Sequence, residues 1–249
     1  MRIVRVITEG DCRYGLADDA TITLISDEPF GQWEPEGAIH LRGAELLTPV
    51  VPTKIVCVGI NYRSHAEEMG LPIPVEPVIF LKPPTALNSP GGDIRLPPGV
   101  GRVDFEAELA AVIGRRTRNA TAEQARMNIL GYMCANDVTA RDLQQRDGQW
   151  TRAKGYDGFC PLGPWVETDV EPEDLLVECY VNGKRRQSGC TSDLIFSVPE
   201  AVSFISGVMT LVPGDVVLTG TPGGIGELRP GDSVEVRIEG IGSLFNPVV

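Results

Sequence analysis

Histidine is scarce: His40 and His65 are the only two in 249 residues. Imidazole chemistry therefore passes through one of two positions. Positive charge is also short, with 22 Lys and Arg against 34 Asp and Glu, a formal net charge of −12. A body that acidic repels phosphate backbones, so no nucleic-acid partner is expected. No apolar run approaches the roughly 20 residues of a membrane-spanning helix. Met1–Val6 reads as a strand and lacks the apolar core of a secretion signal. The six cysteines form no C-x-x-C pair, which excludes the usual zinc and disulfide frames and suits reduced thiols in a cytoplasmic protein. Long helices are disfavoured by 28 Gly and 20 Pro.

What remains is an ordinary globular composition, 42% hydrophobic and 22% charged, with enough chain for one or two domains. Residues 1–50 read as a small β-rich N-terminal domain, with strands at Arg2–Ile7, Arg13–Ala17 and Thr21–Ile25 and a loop at Trp33–Gly37. Pro49 and Pro52 mark its boundary with a second unit, residues 51–249. There the run Lys54–Gly59 has strand length, Asn61 is placed to cap a short helix ending at Gly70, and Val78–Leu81 is a further strand. A Pro/Gly-rich stretch from Pro83 to Gly99 reads as a lid, a binding loop or disorder. Val103–Ile113 alternates as one strand, with Val103, Phe105, Ala107, Leu109, Ala111 and Ile113 on one face. Thr121-x-x-Gln124 and Ser197-x-x-Glu200 are capping boxes, and Thr139-x-x-Asp142 opens a helix that stops at Gly148. Ile129–Asn136 is a strand, and Asn182-Gly183 signals a hairpin. Strands outnumber helices without βαβ alternation, so the fold class is mainly β, α+β, with a mixed sheet.

Several side chains could carry chemistry. Glu106 and Glu108, two apart on a strand, share a face about 6–7 Å apart and can converge on one cation. Asp137 ends an apolar strand, where an ionised carboxylate needs a partner. Arg141 and Gln144 lie on one helix face and suit a carboxylate or keto oxygen. His65 and Glu68 are three apart, as in a carboxylate-oriented general base. Taken singly, each has a plain alternative: a solvated strand face, a helix-start aspartate, surface helical pairs. Lys154 alone reads as surface lysine, and His40 as structural. Gly220–Gly226 lacks the phosphate-loop pattern, and Arg115–Arg118 and Lys184–Arg186 read as solvated basic turns.

Six blocks, in order, change that balance: Gly59-Ile60-Asn61-Tyr62-Arg63-Ser64-His65-Ala66-Glu67-Glu68, Phe80-Leu81-Lys82-Pro83, Asp104-Phe105-Glu106-Ala107-Glu108-Leu109, Asn136-Asp137-Val138-Thr139-Ala140-Arg141-Asp142-Leu143-Gln144, Lys154-Gly155-Tyr156-Asp157 and Leu218-Thr219-Gly220-Thr221-Pro222. Together they resemble the fumarylacetoacetate hydrolase family across about residues 54–249. The resemblance implies a mixed β-roll with short helices, a homodimer, and a lid carrying the His65–Glu68 water-activating dyad. It implies Mg²⁺ or Mn²⁺ at Glu106, Glu108 and Asp137, and the all-carboxylate set independently favours such hard cations. It places Lys154 beside the metal and gives Arg141, Gln144 and Thr221 to a small anionic 2-oxo acid substrate. The first fifty residues resemble the N-terminal domain of some members.

The expected reaction is hydrolysis of a carbon–carbon bond in a 2,4-dioxo acid, an acylpyruvate or a fumarylacetoacetate-like compound. Two other outcomes stay open on the same residues: decarboxylation of an oxaloacetate-type acid, or isomerisation of a 2-hydroxyhepta-2,4-diene-1,7-dioate-type acid of aromatic catabolism. A non-catalytic binding protein would need no base, so His65, Glu68 and Lys154 together argue for an enzyme. The group at the substrate's far end is expected to meet residues between Gly70 and Val100.

Overall fold

The computed structural model describes all 249 residues, Met1–Val249. A 12-stranded sheet forms its centre. Its main path runs Pro35–His40, Thr21–Ile25, Asp11–Ala17, Arg2–Thr8, Cys160–Glu167, Ile129–Asn136, Ala107–Ile113, Val216–Leu218, Ile55–Gly59 and Val78–Lys82. Most pairings are antiparallel; Val216–Leu218 with Ile55–Gly59, and Cys160–Pro161 with Leu87–Asn88, are parallel. The N-terminal strands continue this sheet, because Arg2 and Ile3 pair with Glu167 and Val166. A four-stranded antiparallel sheet, Lys184–Cys190, Leu176–Val181, Ser233–Ile238 and Gly242–Pro247, packs beside it. A three-stranded sheet joins Thr139–Ala140, Val103–Phe105 and Gly226–Glu227.

The central strands are buried on both faces, which explains their near-continuous apolar runs. Alternation decides which core each side chain enters. Leu109, Ala111 and Ile113 join the larger apolar cluster with Val56, Val58, Tyr132 and Cys134. Ala110 and Val112 join a second cluster with Ile55, Cys57, Met133 and Ala135.

Several local expectations change. Val103–Ile113 is not one strand: it breaks at Glu106, with Val103–Phe105 in the small sheet and Ala107–Ile113 in the large one. Asn61 does not cap the helix Arg63–Met69, where Tyr62 occupies the N-cap without a side-chain bond. Asn61 instead donates from Nδ2 to the carbonyls of Phe196 and Thr219 and accepts from Phe196 N–H. Thr139 does not open the next helix: it pairs with Asp104 as a strand, and the helix begins at Arg141. The Pro83–Gly99 stretch is neither lid nor disorder. Ala86 and Ile94 are fully buried, and the N–H groups of Ile94 and Leu96 bond to Pro247 and Val249. Trp33–Gly37 gives way at Pro35 to a strand ending at His40, whose side chain is exposed.

Other signals hold. Thr121 and Gln124 close their capping box, an arrangement worth about 1 kcal/mol. Gly70 and Gly148 end their helices in the left-handed conformation, at φ 63° and 68°. Asn182 and Gly183 both take positive φ in the hairpin between Leu176–Val181 and Lys184–Cys190. No helix is long and apolar enough to cross a membrane.

Candidate active site

The strand break at Glu106 builds the site. Asp137 N–H bonds to the Glu106 carbonyl, and Ala107 and Glu108 pair with Asn136 and Ala135. This register brings Glu106 and Glu108 beside Asp137, although only Glu108 lies within a strand. One carboxylate oxygen from each of the three lies within 4.8 Å of the others, and all three residues are buried. Asn136 Oδ1 accepts from Glu106 N–H at 3.0 Å and helps hold the break.

Cations surround the carboxylates. Lys154 Nζ donates to Glu106 Oε2 at 2.9 Å and to Asp137 Oδ2 at 2.5 Å. Arg141 donates from Nε to Asp104 Oδ2 at 2.9 Å, from Nη2 to Glu106, and from Nη1 to Gln144 Oε1 at 2.5 Å. Lys154 is therefore no surface lysine; only 2% of it is exposed. Burial opposes the charge on Lys154, but Asp137 and Glu106 outweigh it and raise its pKa above the ordinary lysine value. Burial likewise opposes ionisation of Glu106, yet Lys154 and Arg141 hold its carboxyl below the usual range. Glu108 goes the other way: burial, then the neighbouring Asp137 and Glu106, push it well above the usual range. It accepts one backbone bond, from Gly220 N–H at 2.6 Å.

His65 lies on the helix Arg63–Met69 and is buried at this site. Its Nδ1 is 3.4 Å from Glu68 Oε2, and Glu68 is itself fixed by Gly224 N–H at 3.0 Å. If Nδ1 carries the proton toward Glu68, Nε2 keeps its lone pair.

A cavity of about 220 Å³ joins these groups. Glu106, Glu108, Asp137, His65, Arg141, Gln144, Lys154 and Thr221 all line it, while Glu68 stands behind His65. The cavity is smaller than the roughly 300–1,000 Å³ of a drug-sized pocket and suits a small acid.

Sequence reading missed three features. Lys82, fully buried at the end of its strand, donates to Asp137 Oδ1 at 2.5 Å and to the Val138 carbonyl at 3.2 Å. A lysine closing an otherwise apolar run was the available signal. The apolar wall is made by Val58, Ile60, Met69, Leu71, Phe80 and Trp150, so the expected Gly70–Val100 stretch supplies only Leu71 and Phe80. Trp150 packs edge-on against Phe80, and a Cβ on Gly59 would stand 2.7 Å from its ring, so glycine there admits the indole. Gln187, on a strand with three exposed basic neighbours, gave no signal at all.

The donor set fits a metal of one kind. Three buried carboxylates with converging oxygens and no sulfur or imidazole donor among them match a hard divalent cation.

Comparison with known proteins agrees with this chemistry. The family model for the C-terminal domain of fumarylacetoacetate (FAA) hydrolase matches residues 54–249, and an Rv2993c-like N-terminal model matches residues 1–49. Protein Rv2993c of Mycobacterium tuberculosis is 50% identical over 243 residues, covering 96% of this chain and 92% of its own. The structure of a 2-hydroxyhepta-2,4-diene-1,7-dioate isomerase from Mycobacterium marinum superposes with a TM-score of 0.93 at 47% identity, covering 100% of this chain and 98% of that one. A fumarylpyruvate hydrolase from Pseudomonas aeruginosa, solved with Mn²⁺ and pyruvate, superposes with a TM-score of 0.75 at 36% identity, covering 82% of this chain and 91% of that one.

Proposed function

The chain belongs to the fumarylacetoacetate hydrolase family, and from that premise we propose that it hydrolyses a carbon–carbon bond in a small 2,4-dioxo acid with the help of Mg²⁺ or Mn²⁺. The observation that carries this reading is the convergence of Glu106, Glu108 and Asp137 in one cavity with His65, Arg141 and Lys154. The three carboxylates would hold the ion. When bound, it supplies Lewis-acid stabilisation of negative charge developing on the oxygens of a 2-oxo acid.

The chain's own residues divide the remaining work. Arg141, held by Asp104, and Gln144 beside it bind substrate oxygens and fix its orientation. Lys154, itself buried, offsets further negative charge where such charge is expensive. His65 Nε2 takes a proton from water while Glu68 holds the opposite ring nitrogen and stabilises the imidazolium. Water oxygen then bonds to the distal carbonyl carbon, the adjacent carbon–carbon bond breaks, and its electron pair stays with the pyruvate fragment. His65 returns the proton to that fragment. Met69, Leu71, Phe80 and Trp150 give the cavity an apolar side. A homodimer and a cytoplasmic location belong to the same proposal.

The 47% identical isomerase structure favours a second reading, isomerisation of an unsaturated 2-hydroxy dioate. A turnover screen with Mg²⁺ and Mn²⁺ against acylpyruvates, oxaloacetate and hydroxy-dienedioates tests both. Acylpyruvate cleavage supports hydrolysis; conversion of the dienedioate alone transfers the assignment to the isomerase. No turnover of any contradicts an enzyme of this class.

A further inference from the structure

Gln187 lies outside the catalytic cavity, yet its carboxamide reaches two of the cavity's walls. It is 1% exposed on the strand Lys184–Cys190 of the four-stranded sheet. Its Oε1 accepts from Ala107 N–H at 2.9 Å, the peptide between Glu106 and Glu108. Its Nε2 donates to the Pro222 carbonyl at 2.8 Å and to Thr221 Oγ1 at 2.7 Å. The amide cannot be turned over. Ala107 N–H can only donate and the Pro222 carbonyl can only accept, so oxygen must face the first and nitrogen the second.

This fixed polarity has a consequence for Thr221. Its hydroxyl oxygen accepts from Gln187, so its single proton points elsewhere. No protein acceptor takes that proton, and Thr221 is buried on the cavity wall. We infer that Gln187 is a positioning residue that presents the Thr221 hydroxyl proton to an anionic oxygen of the substrate while tethering the peptide between Glu106 and Glu108. The inference rests on the proposed reading of the cavity as a 2-oxo acid site. It adds a specificity element: a donor aimed at a carboxylate or keto oxygen, and held there from a different sheet.

The test uses full-length protein with Mn²⁺ and oxalate as the probe anion, with both affinities read by calorimetry. In Gln187→Glu, titrated toward alkaline pH so that the new buried carboxyl ionises, the carboxylate still accepts from Ala107 N–H but has no proton for Thr221, so the Thr221 hydroxyl turns toward it and leaves the ligand. Mn²⁺ binding should persist. Oxalate affinity should fall roughly 10- to 100-fold, the loss expected for one hydrogen bond to a charged group. Thr221→Val should lose a similar amount, Thr221→Ser should retain wild-type affinity, and the Gln187→Glu/Thr221→Val pair should be no worse than Thr221→Val alone. Multiplying losses in the double variant would show that the new charge acts independently of Thr221, and would overturn the inference. So would unchanged oxalate affinity in Thr221→Val, a measurement that stands even if Gln187→Glu fails to fold. If wild-type protein holds Mn²⁺ but binds no oxalate, the 2-oxo acid reading falls and the inference with it. Wild-type binding with unchanged Gln187→Glu affinity sinks the inference alone.

Discussion

Replacing Lys154 by Met separates two effects that are usually confounded, folding stability and metal affinity. The ammonium is buried and neutralises Glu106 at 2.9 Å and Asp137 at 2.5 Å. Removing one partner of a buried ion pair typically costs about 3–5 kcal/mol. Each carboxylate here keeps one other cation, Arg141 on Glu106 and Lys82 on Asp137. The loss should therefore sit near the lower end, about 3 kcal/mol, or roughly 6–12 °C in Tm for a chain of this size. Metal binding should move in the opposite direction, because Lys154 occupies the same two carboxylates that would hold the ion. Two unit charges 4 Å apart at an effective dielectric of 20 interact by about 4 kcal/mol, so relief of even a third of that tightens Mn²⁺ about tenfold. The assays are thermal unfolding of chelator-treated protein and Mn²⁺ calorimetry on wild type and Lys154→Met. The variant should be less stable without metal, bind Mn²⁺ more tightly, and turn over little. Mn²⁺ affinity that falls tenfold in the variant would refute competition between lysine and ion.

Three further outcomes rest on the same geometry, and a fourth, the dimer, on the family resemblance. Glu106→Gln or Asp137→Asn should abolish metal-dependent activity and lower the metal-free Tm about as much as Lys154→Met, since each leaves two buried cations short of a carboxylate; full activity of either at ordinary metal concentration removes that residue from the site. His65→Ala should lose hydrolysis by about 10²–10⁴-fold while still binding Mn²⁺, since the base is separate from the carboxylates; unchanged hydrolysis refutes the dyad. Burial and the adjacent carboxylates push Glu108 upward in the metal-free protein, so protons compete there with an entering ion. Affinity should accordingly weaken as pH falls, with protons released on binding; calorimetric heats that do not depend on buffer ionisation would contradict this. Sedimentation of the full-length chain should give twice the chain mass, and a monomer at micromolar concentration would remove the dimer from the proposal.

The sequence made the chemistry easier to read than the local structure. Glu106 and Glu108 could be paired from strand periodicity, but Asp137, Lys154 and His65 joined them only through the family resemblance carried by six spaced blocks. The break at Glu106 was hidden by Val103–Ile113 itself: burial of both faces leaves an alternating pattern intact even when the strand changes sheet. Asn61 and Thr139 looked like caps, but each found stronger partners far along the chain, Phe196 and Thr219 for one and the short strand at Asp104 for the other. The Pro83–Gly99 stretch looked loose because its order comes from the chain's last residues. Gln187 was illegible because its role depends wholly on tertiary placement, among exposed lysine and arginines that suggest a solvated turn.

On the proposed reading, Glu106, Glu108 and Asp137 together hold one catalytic divalent ion. Anomalous diffraction from crystals grown with Mn²⁺ and oxalate would locate that ion. A single strong Mn²⁺ peak should lie within coordination distance of all three carboxylates, with oxalate beside it facing Arg141 and Thr221. A peak at other residues, or none between these carboxylates in crystals of protein that requires Mn²⁺ for turnover, would contradict it.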